Sequence, residues 1–124
     1  PLRKSIKDGN QRNIVIMTKE EGYIRRPSSQ LGLIKMRYLA YPKVYELMQE
    51  RHLMYNATLK FLEEQQESGG AFVIRPKKAG EVGRMEKDVQ KLEALYMEGY
   101  RDAEECFEEM INYLESGTVQ EEFE

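Results

Sequence analysis

Two short runs along the chain are apolar and β-branched without a break, and the rest of its apolar residues recur every three or four positions. The first run is Asn13-Ile14-Val15-Ile16-Met17-Thr18, and the second is Ala71-Phe72-Val73-Ile74-Arg75-Pro76, entered through Gly69-Gly70. A continuous β-branched run of this length reads as a buried strand, whereas three-to-four spacing marks one face of a helix. The pattern therefore predicts strands at about 13–18 and 71–76 in an otherwise helical chain.

The helical stretches can be placed by their punctuation. Residues 1–12 enter at Pro1 and stop at Gly9-Asn10, as a short helix or turn. After the first strand, Lys19 to Pro27 has a turn glycine at Gly22 and no periodicity, so it reads as a loop leaving the strand's carboxyl end. Ser28 and Ser29 are placed to cap a helix carrying Leu31, Leu33, Ile34, Leu39 and Tyr41 up to Pro42. Pro42 suits the first position of a longer helix, whose stripe of Val44, Leu47, Met48, Met54, Tyr55, Leu59 and Leu62 runs to about Glu67. In the last third, Val89, Leu92, Leu95 and Tyr96 predict a helix ending at Gly99. Asp102 with Glu105 then resembles a capping box that opens a final helix through Phe107, Met110, Ile111 and Leu114. Residues 118–124 read as an acidic, frayed tail.

The fold class that follows is α/β and mostly helical, with two strands and about five helices. Two strands alone make a poor sheet. The expectation is that this segment belongs to a larger three-layer α/β/α fold whose other strands lie upstream, and the start at Pro1 without a methionine is read the same way.

Composition narrows the function classes. With 40% hydrophobic and 33% charged residues in 124, the chain suits a globular domain with solvated helices. It contains neither an apolar run of about 18 residues nor a charged-then-apolar leader. A single cysteine, Cys106, lies among Glu104, Glu105, Glu108 and Glu109, which disfavour a thiolate; it suggests a reduced, intracellular setting. The expected location is cytoplasmic, with membrane contact at most peripheral.

The net charge of −3 conceals an asymmetry, since residues 1–60 carry +7 and residues 61–124 carry −10. The basic half could face phosphates or lipid headgroups, but its charges are dispersed along helices in the manner of solvated faces. Arg25 and Arg26, on the loop after the first strand, are the candidates for anion or headgroup contact, beside the plainer reading of a surface loop. A wider set of Arg25, Arg26, Arg75, Lys77 and Lys78 lacks the dense cluster and aromatic interleaving of a nucleic-acid surface, so no nucleic-acid partner is expected.

Catalytic patterns are missing. His52 has no second histidine or cysteine at ligand spacing, and its neighbours in sequence point to other helix faces. None of the five serines, Ser5, Ser28, Ser29, Ser68 and Ser116, stands in G-x-S-x-G. The glycines of 77–83 match no phosphate-loop pattern. No catalytic residue, cofactor or metal site is assigned to this chain.

One resemblance spans most of the chain. Pro1-Leu2-Arg3-Lys4-Ser5-Ile6 with Asp8-Gly9-Asn10, the first strand, Gly22-Tyr23 leading to Arg26-Pro27, and Tyr41-Pro42-Lys43 occur in order. Arg51-His52, Tyr55-Asn56, Phe72 to Pro76, and Arg84 through Lys87-Asp88 to Leu92-Glu93-Ala94-Leu95-Tyr96 and Gly99-Tyr100 follow. Together they resemble the C-terminal part of a bacterial patatin-like phospholipase, also described as a predicted α-β-α esterase.

The resemblance implies a lipid acyl hydrolase with a Ser-Asp dyad, the serine in G-x-S-x-G and the aspartate in Asp-Gly-Gly or Asp-Gly-Ala. Neither motif is present, and Asp8-Gly9-Asn10 departs from the second at its third residue. The implied layout is 1–27 as the end of the catalytic domain, 28–117 as a helical extension with one strand, and 118–124 as the tail. The implied partner is a lipid or ester substrate bound through the upstream catalytic part, with this chain inactive alone. The rival expectation is a non-catalytic helical module whose apolar stripes bind a partner or form a homodimer.

Overall fold

In a computed structural model that describes residues 1–80, 82–83 and 85–116, the element order is α1 (Leu2–Lys7), β1 (Asn13–Ile16), α2 (Leu31–Arg37), α3 (Pro42–Glu67), β2 (Ala71–Ile74), α4 (Val89–Glu105) and α5 (Phe107–Glu115). The chain is α/β and mostly helical, with five helices and two short parallel strands among the described residues. The tail expected over 118–124 lies outside them.

The strands pair in parallel, with Asn13 opposite Ala71 and Ile16 opposite Ile74, and a further bond from Met17 N–H to Ile74 O at 2.8 Å extends the ladder. Both strands are shorter than their apolar runs: β1 is followed by Met17, whose N–H makes that added bond, and by Thr18, while the second run ends at Pro76, a residue without a donor. A parallel pair needs a long crossover, and α2 and α3 lie within it. Gly69, at φ 79°, closes α3 in the left-handed conformation, while Gly70 N–H donates to Gln65 O at 2.8 Å.

The chain divides into two compact units. The first joins Pro1–Tyr23 to the described residues from Gln65 onward, and it contains α1, both strands, α4 and α5. Among the described residues its buried side chains are few: Ala71 and the polar Asn13. Ile14 is 39% exposed and Ile16 75%, although parallel strands are ordinarily covered on both faces.

Asn13 holds the start of β1. Its Nδ2 donates to Gly70 O at 3.1 Å and Asn10 O at 3.2 Å, and its Oδ1 accepts from Ser5 Oγ at 2.6 Å. Its backbone N–H donates to Tyr113 Oη at 3.3 Å, and that hydroxyl donates to Gly69 O at 3.0 Å. The Tyr113 ring lies 5.7 Å from Phe72, with the Arg12 guanidinium 5.0 Å from its centroid. A buried carboxamide is tolerable here because its donors and its acceptor all find partners.

The second unit, Ile24–Glu64, comprises a loop, α2 and most of α3. Asn56 on α3 receives the Arg25 N–H at 2.8 Å and donates to Arg25 O at 3.0 Å, so one side chain satisfies both backbone groups of that residue. Along α3 only Leu62 is buried, and the stripe is otherwise half-exposed or open, with Leu47 and Met54 at the surface.

Two expected boundaries differ. Ser28 and Ser29 do not cap α2; Gln30 occupies that position, and the Ser28 hydroxyl accepts only the Gln30 N–H. The second difference is larger, because α4 passes through Gly99 and Asp102 to Glu105 and the break falls at Cys106. A mid-helix glycine costs about 1 kcal/mol relative to alanine, which good helix formers on both sides offset. Asp88, accepting from Gln90 N–H at 3.0 Å and Lys91 N–H at 3.4 Å, supplies the N-cap.

Candidate ligand site at the carboxyl ends of the strands

The continuity of α4 creates one face that a break at Gly99 would have divided. Leu95, Glu98, Gly99 and Asp102 are spaced three or four apart and so lie together. They border a cavity of about 280 Å³ whose floor includes Ile16 and Ile74, the last residues of the two strands. In open α/β sheets the carboxyl ends of parallel strands are the usual place for a ligand.

Chain leaving the strands brings polar groups to this cavity. Thr18 and Lys19 follow β1, and Arg75 and Lys78 follow β2. Most are already engaged. Lys78 pairs with Glu98 at 3.1 Å, and the Lys19 ammonium stands 5.1 Å from the Tyr23 ring centroid. Asp102 Oδ2 accepts the Lys77 backbone N–H at 3.4 Å. The Lys77 ammonium itself donates to Glu105, and this hydrogen bond, followed by the charge of that carboxylate, holds Lys77 above its ordinary value. Half-buried Arg75 makes no ion pair with any described residue.

At the entrance to α4, Glu86 Oε1 accepts the Asp88 N–H at 3.0 Å and the Lys87 N–H at 2.9 Å. These bonds, that from Asp88 first, hold the Glu86 carboxyl below its ordinary value.

The residues singled out in sequence are placed elsewhere. Arg25 belongs to the second unit, where its guanidinium lies 4.8 Å from the Tyr55 ring centroid while Asn56 binds its backbone. Arg26, two residues after Ile24, is exposed. His52 is half-buried, with Nδ1 enclosed and without a hydrogen-bond partner among the described residues. Asp8 ends α1, exposed and ion-paired with Lys4.

Among the described residues no group of three or more His, Cys, Asp or Glu could hold a metal ion, and no helix is long and apolar enough to cross a membrane. Sequence reading had Arg75 only within a wider basic set and missed the cavity. Its outline depends on α4 running through a glycine that looked like a terminus.

Residues 41–115 match the family described as a domain of unknown function, DUF6363, and the chain belongs to that family. No curated protein and no solved structure matches the chain.

Proposed function

We propose, for this member of the DUF6363 family, that it is the non-catalytic carboxyl-terminal portion of a patatin-like serine hydrolase, an enzyme that cleaves a lipid or other ester acyl bond. The observation that carries this reading is the parallel strand pair whose outer edges have no partner among the described residues and whose Ile16 is 75% exposed. Such a pair is stable when further strands and covering helices complete it. The ordered resemblance of Pro1 to Tyr100 to the end of that enzyme family supports the same reading.

In this scheme the dyad serine attacks the ester carbonyl and the aspartate takes its proton without a histidine. Backbone N–H groups hold the oxyanion. Those groups come from the sheet that this chain would complete, and this chain supplies none of them. The cellular site would be cytoplasmic, at most peripheral to a membrane, with no nucleic-acid partner and no cofactor.

The purified 124-residue chain should not turn over a p-nitrophenyl ester, and turnover that Asp8→Ala abolishes would overturn the reading. The codons preceding Pro1 in the gene should encode G-x-S-x-G and Asp-Gly-Gly or Asp-Gly-Ala. Their absence would leave a second reading, a helical interaction module, which the exposed Tyr96, Tyr100 and Phe107 of α4 and α5 favour. Concentration-dependent dimerisation in sedimentation equilibrium would then support it.

A further inference from the structure

We infer that the cavity at the carboxyl ends of β1 and β2 binds a small amphipathic carboxylate, with Arg75 receiving the carboxylate and the apolar floor its hydrocarbon part. The inference does not depend on the hydrolase reading. Four observations converge on it.

The cavity lies where parallel strands end and their peptide groups leave the ladder, and its volume of about 280 Å³ is just under the roughly 300–1,000 Å³ of sites for drug-sized ligands. Its floor and one wall are apolar, through Ile16, Ile74 and Leu95, which suits a hydrocarbon segment and not a fully polar ligand. Of the lining cations, Lys78 is paired with Glu98 and Lys19 sits against Tyr23, which leaves Arg75 as the one without a partner among the described residues. The guanidinium of half-buried Arg75 gains most from a planar anion that it can meet through two parallel hydrogen bonds.

The acids on the α4 side set the charge of the ligand. Glu98 and Asp102 face the same space and would repel a dianion more than a monoanion. A single carboxylate on an apolar body satisfies Arg75 at the least cost from these neighbours, and phosphate does not. The exposed Thr18 hydroxyl, which makes no hydrogen bond with a described residue, is available as a second donor.

The test is a titration of the 124-residue chain with octanoate, followed by amide chemical shifts. Saturable shifts should concentrate at Thr18, Arg75 and Leu95. Arg75→Met, which keeps the apolar stem, should weaken binding about tenfold or more, the loss expected for one hydrogen bond to a charged group. Arg75→Lys should lose less than Arg75→Met, which separates charge from packing. If either variant fails to fold, the wild-type chain still decides the matter. Octanol, which lacks the charge, and acetate, which lacks the apolar body, should each bind about tenfold or more weakly than octanoate. Inorganic phosphate binding as tightly as octanoate, octanol binding equally well, or shifts confined to residues outside the cavity would each overturn the inference.

Discussion

Asn13 and Asn56 perform the same operation in the two units, each using one carboxamide to hold the backbone of a remote segment, yet they do so under different conditions. Asn13 is 8% exposed and sits in a network with Ser5, Asn10, Gly70 and Tyr113. Asn56 is half-buried and serves a single residue, Arg25. The Asn13 network ties the start of β1 to Gly70 and to α5 in a unit where few described side chains are buried. The Asn56 pair merely fixes the path of a loop along a helix. Burial separates the two, because a donor stranded away from water loses more than one that can rehydrate.

Substitution can break this comparison. Asn13→Ala removes the partners of Ser5 Oγ and Gly70 O from an enclosed position, and it should lower unfolding stability by about 2–3 kcal/mol in urea titrations. Asn56→Ala should cost about 1 kcal/mol or less, and its main mark should be faster hydrogen exchange at the Arg25 amide. Equal losses at the two positions would show that burial is not what distinguishes them.

Tyr113→Phe sharpens the same contrast from the other side. It keeps the ring against Phe72 but deletes the hydroxyl shared by Asn13 N–H and Gly69 O, and the expected cost is about 1 kcal/mol. Combined with Asn13→Ala it should cost less than the sum of the separate losses, since both act on one network.

The smallest effect belongs to Glu86. Its folded-state value lies below its ordinary 4.5, so its contribution is present above that value and is lost as pH falls through the lower, folded one. Glu86→Gln should flatten this part of the stability profile, lowering stability slightly near neutrality and leaving it unchanged at pH values below the folded one, as read by thermal unfolding at a series of pH values.

The strands and the long α3 were legible because their determinants are local. Ile14-Val15-Ile16 and Phe72-Val73-Ile74 each bring their own preference for extended backbone, and Pro42 with Gly69 brackets a helix in a way that needs no tertiary information. The course of α4 was not legible, because Gly99 offers the same local cue whether it ends a helix or merely weakens it. Asp102 misled for a related reason. It looked like a cap three residues before Glu105, but it accepts an N–H from Lys77, which is remote in sequence. The cavity depended on both points. Arg25 drew attention through its position after a strand, and only the folded chain shows its guanidinium and backbone already engaged by Tyr55 and Asn56.

The hydroxyl of Tyr113 also sets an order of events. It closes on Asn13 across 100 residues, and Arg12 meets Ser116 at 2.8 Å across 104. Closing a loop of that length costs on the order of 4 kcal/mol in chain entropy before any contact compensates. A ribosome releases Asn13 about a hundred codons before Tyr113, so β1 waits, hydrated and unsealed, while the segment between them is made. Premature termination within α5 would therefore impair β1 as much as α5 itself.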